Sequence, residues 1–409
     1  MEQELMKKYA RLIVKTGVNV QKDQTLIIVS PIECAPFARA MAEVAYQTGA
    51  RDVVISWRDE LFAKLRYQMG PDEIFDEFPA WQKDMFVNLT RQGAGVISIA
   101  ASDPELLKDV DPDRVARAMK ASTSALKEYR ERMMAHRNTW CVVSMPTKAW
   151  AAKVFPQLDE EAALEKLWQA IYQAVRVNEA DPVAAWQQHQ AKLQAAMDFM
   201  NGHTFRYLKY KNGLGTDLTI ELPKEHLWLG GSERTPGGVD FFANMPTEEI
   251  FTLPLKSGIN GTVYSSKPLN YHGNLIDRFC LTFEAGRVVS FSAEQGYEVL
   301  KNLLETDEGA SFIGEVALVP FDSPISNSGI LFYNTLFDEN ASCHLAFGKA
   351  YPICIKGGEG LSPEELAERG VNDSLVHEDF MVGTADLSIT GITADGTEVP
   401  VFRQGNFAF

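Results

Sequence analysis

The sequence predicts two domains: an α/β N-terminal domain with a parallel, doubly wound sheet, and an α+β C-terminal domain with a mainly antiparallel sheet. Three observations predict this. The chain has 409 residues, which is long for one hydrophobic core. Apolar strand-like runs alternate with helical patterns over the first half, and hairpin signals dominate after about residue 200. We therefore expect domains at 1–200 and 201–409.

Four short apolar runs predict the strands of the first domain: "TLIIVS" (25–30), "DVVISW" (52–57), "GVISIAA" (95–101) and "WCVVSMP" (140–146). Helical patterns separate them, near residues 60–70, 78–92 and 111–135. Nearly continuous apolar strands that alternate with helices are typical of a parallel sheet covered on both faces. No GxGxxG or GxxxxGK[ST] motif follows any of these strands, so the sequence gives nucleotide binding little support.

Two polar helices, "DEEAALEKLWQAIYQAVRV" and "DPVAAWQQHQAKLQAAMDFMNG", are predicted to bridge the two domains. Strand pairs follow, among them "TFRYLKYKNGLGTDLTIEL", in which Asn-Gly marks a turn, and "CLTFEAGRVVSFSA". One helix, "EQGYEVLKNLLET", interrupts them. This half is therefore predicted to contain a mainly antiparallel sheet.

Composition restricts the class of protein without naming a function. The formal net charge of −16 disfavours nucleic acid and anionic membranes as partners. No segment is long and apolar enough to span a bilayer. Charged residues interrupt the N-terminal stretch "MEQELMKKYARLIVKTG", and this pattern predicts an amphipathic helix rather than a signal peptide. Five cysteines without a CxxC pair argue against a disulfide framework. We expect a cytoplasmic protein.

Carboxylates interrupt two apolar strand patterns of the second half. Glu248 and Glu249 in "NMPTEEIFTLP" are neighbours, so on a strand they point to opposite faces and only one can serve a given site. An edge strand with solvated glutamates would explain both. Glu315 in "SFIGEVALVP" lies in a run that favours burial, and a buried carboxylate requires a cation, hydrogen-bond donors or a shifted pKa. A structural salt bridge or edge exposure remains open for Glu315.

A third strand pattern, "SLVHEDFMVG", places His377 and Asp379 two residues apart, hence on one face, with Glu378 on the other. Such a pair can supply one nitrogen and one oxygen ligand to a metal ion. It can equally be a surface pair.

The segment 328–352, "SGILFYNTLFDENASCHLAFGKAYP", combines an apolar run with charged and polar residues. Asp338 is predicted to cap a short helix, with Glu339 in its first turn. His344 and Tyr351 would then lie near one helical face, beside small residues. A single histidine of this kind is more often a core residue than a ligand.

Together, these stretches bring carboxylate and imidazole groups onto apolar elements of one domain. Such a mixed donor set suits a pair of divalent ions such as Zn, Co or Mn, bridged by a carboxylate. Glu315 is the preferred bridging group, because it lies deepest in an apolar strand pattern.

Four motifs, "PTEEIF", "GEVALVP", "ILFYNTLFDENASCHLAFGKAYP" and "HEDFMVG", closely resemble in order and interval the aminopeptidase T / aminopeptidase S family, also known as the thermophilic metalloprotease family. The resemblance implies a homodimeric two-metal exopeptidase that removes N-terminal amino acids from peptides. It implies an active-site tyrosine at Tyr351. The metal ligands it implies are Glu249, Glu315, His344, His377 and Asp379.

The mechanism expected from this resemblance is attack by a metal-activated water on the first peptide carbonyl. Tyr351 would donate a hydrogen bond to the developing oxyanion, or could instead ligate a metal. Glu248 is the candidate proton carrier, although its alternation with Glu249 along a strand argues against that role.

Two other functions remain open. One is a dinuclear hydrolase acting on a phosphoester or another amide, for which Arg234 in "SERTPGG" could provide a cationic clamp or simply occupy a surface turn. The other is a non-enzymatic protein that binds a solute at the switch point of the N-terminal sheet. The absence of GxSxG argues against a serine hydrolase. The remaining histidines are interpreted as surface or loop residues: His136, His189, His203, His226 and His272.

Overall fold

The computed structural model describes residues 2–271 and 274–409 and divides into two compact units. The first comprises Met1–Gln187 and Ser232–Pro246, and the second comprises Gln188–Gly231 and Thr247–Phe409. A single boundary after residue 200 does not describe this division, because the chain returns to the first unit at Ser232. Such a return depends on tertiary contacts, which local sequence patterns do not report.

The first unit contains the predicted parallel sheet. Its strands are β1 (Thr25–Pro31), β2 (Asp52–Arg58), β3 (Gly95–Ile99) and β4 (Trp140–Val143). They pair in parallel in the order β2-β1-β3-β4, which confirms the α/β class. β1 is central and almost entirely buried, whereas β2 is an edge strand and half exposed.

Nine helices are described in the first half of the chain, and all except α7 fall where the periodic patterns predict helices, with the stretch predicted at 111–135 divided into α5 and α6. Their bounds are α1 (Glu2–Leu12), α2 (Ala35–Thr48), α3 (Glu60–Met69), α4 (Ala80–Arg91), α5 (Pro112–Ala125), α6 (Lys127–Met134), α7 (Lys148–Val154), α8 (Glu160–Ala174) and α9 (Pro182–His203). Capping residues set the ends of several of these helices. Asp59 and Asp159 accept hydrogen bonds from the first turns of α3 and α8, and α2 ends at Gly49, whose φ is +102°.

The remaining strands pair mostly antiparallel, and the longest are β13 and β14. They are β5 (Tyr207–Lys211), β6 (Asp217–Glu221), β7 (Leu229–Gly230), β8 (Glu233–Arg234), β9 (Asp240–Phe241), β10 (Ile250–Thr252), β11 (Ile259–Tyr264), β12 (Leu269–Tyr271), β13 (Asn274–Glu284), β14 (Arg287–Gln295), β15 (Ile313–Leu318), β16 (His344–Gly348), β17 (His377–Met381), β18 (Ser388–Ile392), β19 (Glu398–Arg403) and β20 (Asn406–Phe407). The helices among them are α10 (Tyr297–Leu304), α11 (Pro324–Ser328), α12 (Thr335–Asp338) and α13 (Pro363–Glu368).

Two antiparallel sheets build the second unit, which confirms the α+β prediction. One runs β12-β13-β11-β6-β5-β18-β19-β20, with β14 paired to β13. The other is five-stranded, in the order β17-β16-β15-β10-β7. Buried residues from both sheets, such as Leu208, Ile276, Val316 and Leu345, form one hydrophobic core. The five-stranded sheet positions the candidate site.

The helix predicted around His344 is wrong, because His344–Gly348 is strand β16. It pairs antiparallel with β15 on one side and with β17 on the other. All five residues are buried, so both faces of this run contact protein. The periodicity of a short, fully apolar run does not distinguish a buried helix from a buried strand. Here pairing with the flanking strands makes the run a strand.

Asp338 does not cap the short helix either. Asn334 is the N-cap of α12, and its side chain accepts a hydrogen bond from the backbone N–H of Leu336. Asp338 is instead the last residue of α12 and is buried. Among the residues that the structure describes, no helix is both long and apolar enough to cross a membrane.

Candidate metal centre

Three adjacent strands of the five-stranded sheet carry the predicted ligands. Glu315 lies on β15, His344 on β16, and His377 and Asp379 lie on β17. In the observed register Ala346 faces Asp379 and Gly348 faces His377, while Ala317 faces His344. His377 and Asp379 are two residues apart and share one face of β17, as the alternation predicts.

Glu249, the third carboxylate of the predicted ligand set, reaches the same place from outside a strand. Glu249 immediately precedes β10, the neighbour of β15 in the sheet. Its Oε2 lies 3.0 Å from His344 Nε2. The alternative of an edge strand with solvated glutamates is therefore wrong: β10 lies inside the sheet, and Glu248 and Glu249 are 4% and 8% exposed.

The side chains form two groups with ligand-like spacing. Glu249, Glu315 and His344 form one, and Glu315, His377 and Asp379 form the other. Within each group, one donor atom from each residue lies within 4.8 Å of the others. Glu315 belongs to both, with Oε1 3.7 Å from His344 Nε2 and Oε2 3.5 Å from His377 Nε2.

The histidine tautomers suit metal binding. The Nδ1 of His344 lies 3.2 Å from the carbonyl oxygen of Ser342, and that of His377 lies 2.7 Å from the carbonyl oxygen of Lys349. A carbonyl only accepts, so Nδ1 carries a proton in each ring. The Nε2 atom of each ring points toward the carboxylates, and once deprotonated it would offer its lone pair to a metal ion, as in a typical metal-ligating histidine.

Few protein groups stabilise the negative charges of Glu249, Glu315 and Asp379. Glu249 Oε2 and Asp379 Oδ1 are buried and accept no well-aligned hydrogen bond from the part of the chain that the structure describes. Burial raises the pKa of Glu315 to about 7, a hydrogen bond from His344 opposes this shift, and the charge of Asp379 adds to it. The ion pairs that the described residues make with these three carboxylates all come from histidine. Divalent cations would neutralise this charge, so the donor set fits metal ions.

Tyr351 lies at the edge of the centre, in the loop after β16 rather than on a helix. Its ring centroid is 4.9 Å from that of His377 and 5.8 Å from that of Phe251. Burial raises the pKa of Tyr351 well above its ordinary value, and the negative charges of Glu315 and Asp379 raise it further. The side chain is therefore a neutral phenol that can donate a hydrogen bond.

Glu248 faces a different neighbour from Glu249. Its Oε2 lies 3.6 Å from Nε2 of His189, a residue of α9. The same Nε2 is 2.7 Å from the carbonyl oxygen of Thr247, to which its N–H donates. The backbone N–H of Glu248 donates to Oδ1 of Asn340 at 2.7 Å. The two side chains therefore have different partners, although neither residue lies in a strand.

Glu339 is a residue that the sequence analysis missed. It is buried, and burial raises its pKa well above the ordinary value, as do the charges of Asp379 and Glu249. Asn340 donates from Nδ2 to Glu339 Oε1 at 3.3 Å and so links Glu339 to Glu248. Glu339, like Glu315, is a carboxylate inside an apolar run, and this pattern could have identified it. The sequence analysis instead placed Glu339 in the first turn of a helix.

The interpretation of the other histidines as surface or loop residues is wrong for His189, which is buried in α9, whereas His136 and His226 do lie in loops, although they too are buried. His136, His189 and His226 are each less than one-tenth exposed. His203 ends α9 and is partly buried, and His272 lies outside the described residues. Arg234 does occupy an exposed hairpin, β8–β9, where its guanidinium pairs with Asp240 at 2.6 Å.

Comparison with known proteins agrees along the whole chain. The family model described as "Thermophilic metalloprotease (M29)" matches residues 2–407. Aminopeptidase 2 from Geobacillus stearothermophilus is 53% identical over 98% of this chain and 97% of its own length. Aminopeptidase AmpS from Bacillus subtilis is 49% identical, with 98% of each chain covered.

A solved structure shows the same relationship. Wild-type AmpT from Thermus thermophilus superposes with a TM-score of 0.94 at 39% identity, and all of both chains is covered. A dioxygenase from Pseudomonas putida has a TM-score of 0.55 at 12% identity, covering 100% of this chain and 98% of its own, a likeness of fold alone. The family model and the relatives above 40% identity both cover nearly the entire chain, and the chain therefore belongs to the thermophilic metalloprotease (M29) family.

Proposed function

We propose that this protein is a metal-dependent aminopeptidase that hydrolyses N-terminal amino acids from peptides. The observation that carries the proposal is the pair of donor groups that share Glu315. The relatives are all named as aminopeptidases, and this supports the reaction class. We further propose that the protein acts in the cytoplasm as a homodimer.

The proposed metal content is two divalent ions per chain, Zn, Co or Mn. Glu249 and His344 would serve one ion, His377 and Asp379 the other, with Glu315 between them. When bound, such ions lower the pKa of a water molecule and polarise the scissile carbonyl. The buried carboxylate of Glu339 is proposed as an additional acidic group of the same centre, since it shares the electrostatic environment of Asp379 and Glu249.

Tyr351 is proposed to stabilise the oxyanion that develops at the carbonyl. A neutral phenol at the edge of a cluster of carboxylates can donate a hydrogen bond, whereas none of those carboxylates can do so when ionised. Glu248 is proposed as a proton carrier only through His189, because its carboxylate contacts that imidazole. Asn340 holds the backbone of Glu248 and thereby fixes the chain on which Glu249 is presented.

The test combines metal content with substrate choice. Wild type, Glu315→Ala, His344→Ala and the exposed control Glu305→Ala are dialysed against Zn or Co and measured by elemental analysis. We expect wild type and control to retain about two ions per chain and both site variants to lose at least about one. Hydrolysis of leucine p-nitroanilide should fall by on the order of 100-fold or more in the site variants.

Two results would contradict the proposal. Near-stoichiometric metal in both site variants would reject the coordination. Wild-type activity on nitrophenyl phosphate, without activity on any aminoacyl-p-nitroanilide, would reject the peptidase assignment in favour of a phosphoesterase.

A further inference from the structure

Glu249 is held differently from the other predicted ligands. Those four lie on strands β15, β16 and β17, whose pairing fixes the backbone that carries them. Glu249 lies outside any strand, and Thr247, two residues before it, is where the chain enters the second unit after its return to the first. Contacts other than strand pairing must therefore orient the segment that leads into Glu249.

Two side chains hold the peptide unit between Thr247 and Glu248. The Nε2–H of His189 donates to its carbonyl oxygen at 2.7 Å, and Oδ1 of Asn340 accepts its N–H at 2.7 Å. The C=O and N–H of a trans peptide point in opposite directions within one plane, so the two contacts fix this plane from opposite sides. Both side chains are buried, so water competes little for either hydrogen bond.

His189 and Asn340 are themselves fixed in place. His189 lies within helix α9, well away from both of its ends. Asn340 donates from Nδ2 to the carbonyl oxygen of Leu336 at 3.0 Å and to Glu339 Oε1 at 3.3 Å. The peptide plane is therefore attached to two separate elements of the second unit.

The chain on the other side of Glu249 is fixed by strand pairing. Ile250 begins β10 and pairs with Gly230 of β7 and with Leu318 of β15. A Cβ at Gly230 would lie 2.5 Å from the carbonyl oxygen of Glu249, so the β7 backbone also lies against that carbonyl. Glu249 thus lies between a held peptide plane and a paired strand, and its Oε2 is 3.0 Å from His344 Nε2.

We propose that His189 and Asn340 are positioning residues for Glu249, and that they set the affinity of one metal site and not of the other. The inference rests on the proposed two-metal function. Glu249 belongs to only one of the two donor groups. Release of the peptide plane lets its carboxylate move, which weakens the ion served by Glu249 and His344, whereas the ion served by β17 keeps its ligands.

The first test removes the hydrogen-bond donor of His189. His189→Leu has no N–H for the Thr247 carbonyl, whereas His189→Gln has an amide N–H at a similar distance from the backbone. The matched control is His203→Leu, the same substitution at the end of α9, where Nδ1 lies 2.8 Å from the carbonyl oxygen of Phe199. Each metal-free protein is titrated with Zn or Co, and binding is measured by calorimetry.

We expect wild type and His203→Leu to bind two ions per chain with the same affinities. His189→Leu should weaken one binding event by about 10- to 100-fold and change the other by less than about threefold. His189→Gln should bring the weakened event back to within about threefold of wild type. Recovery by a residue that shares only the donor separates positioning from a loss of packing.

The second test identifies the weakened site and replaces the other contact. One equivalent of Co bound to His189→Leu should have the visible spectrum of Glu249→Gln and not that of Asp379→Asn, because the ion then occupies the site that keeps its ligands. Asn340→Ala removes the acceptor for the Glu248 N–H and should weaken the same binding event. This variant keeps the proposal falsifiable if His189→Leu does not fold.

Glu248→Gln separates positioning from proton transfer. It removes the proposed proton carrier but keeps the backbone N–H that Asn340 accepts, so both metal affinities should stay within about threefold of wild type. A loss of one ion in Glu248→Gln as large as that in His189→Leu would assign the effect to the carboxylate and overturn the role of the peptide plane.

The remaining outcomes separate the inference from the proposed function. If wild type binds two ions and His189→Leu binds both equally well, the positioning role alone is overturned. Equal weakening of both ions, or no recovery in His189→Gln, overturns it as well. Wild type that binds no metal ion would instead overturn the proposed function on which the inference rests.

Discussion

Asp338 is buried in a site where ionisation is unfavourable. Burial raises its pKa to about 6 from the ordinary 3.8, and the backbone N–H groups of Phe332 and Asn334 oppose the shift. Its two oxygens nevertheless fix the loop that carries Tyr333. The residue therefore has a structural role that carries a pH-dependent cost.

The sign of that cost predicts a stability profile. The native state binds the proton more tightly than the unfolded chain, so the stability contributed by Asp338 is present at low pH and is lost as pH rises through about 6. Between about pH 4.5 and about pH 7, wild type should lose on the order of 2 kcal/mol relative to Asp338→Asn, which does not titrate.

Urea unfolding of wild type and Asp338→Asn at both pH values measures this difference. Asp338→Asn should be less stable at the lower pH, because an amide nitrogen cannot accept one of the two backbone hydrogen bonds. The exposed control Asp217→Asn should show a difference from wild type that changes far less with pH. A pH-independent difference for Asp338→Asn would contradict the assignment.

Strand β16 is the element that assembles the centre, because it joins the strand of Glu315 to the strand of His377 and Asp379. Its last residue, Gly348, has φ of +88° and pairs with His377. A Cβ at this position would lie 2.2 Å from the carbonyl oxygen of Val376. Only glycine tolerates both the positive φ and the close approach of this carbonyl oxygen.

Gly348→Ala should therefore destabilise the protein by about 3 kcal/mol or more and also reduce metal retention, since it separates β16 from β17 near His377. Gly329→Ala is the matched control: its φ is +63°, yet nothing lies within 4 Å of the added Cβ. We expect that variant to cost only about 1 kcal/mol and to retain metal. Denaturant unfolding and elemental analysis check both, and equal costs for the two glycines would refute the steric argument.

The second unit as a whole concentrates negative charge inside its five-stranded sheet. Glu249, Glu315, Glu339 and Asp379 are buried or nearly so, with His344 and His377 between them. Mutual repulsion and desolvation oppose folding of this unit until cations bind. Metal binding and folding are thus expected to be linked.

Chelation should consequently lower the unfolding temperature of wild type. A ligand present at about 100 times its dissociation constant stabilises the native state by about 2.7 kcal/mol. If Glu315 is a ligand as proposed, Glu315→Gln should lose most of this response, because a neutral amide is a much weaker metal ligand than a carboxylate, whereas the exposed control Glu305→Gln should keep it. Calorimetry with and without EDTA measures the effect, and an unchanged wild-type transition would argue against bound metal.

The sequence alone predicted which side chains share a strand face and where the parallel sheet lies, because local backbone geometry controls both. Alternation along a strand placed His377 and Asp379 on one face and Glu378 on the other, and continuous apolar runs separated by helical patterns predicted the parallel sheet. These features depend on neighbours within a few residues. They can therefore be inferred without knowledge of which strands pair.

Only the tertiary structure decided the rest. The run from His344 to Gly348 is a strand because β15 and β17 satisfy its backbone hydrogen bonds from both sides, a partnership between segments about 30 residues apart in sequence. Asn340 and His189 join the site through contacts that no local pattern encodes. Residue types and their spacing indicated the chemistry, but long-range strand pairing determined which groups meet.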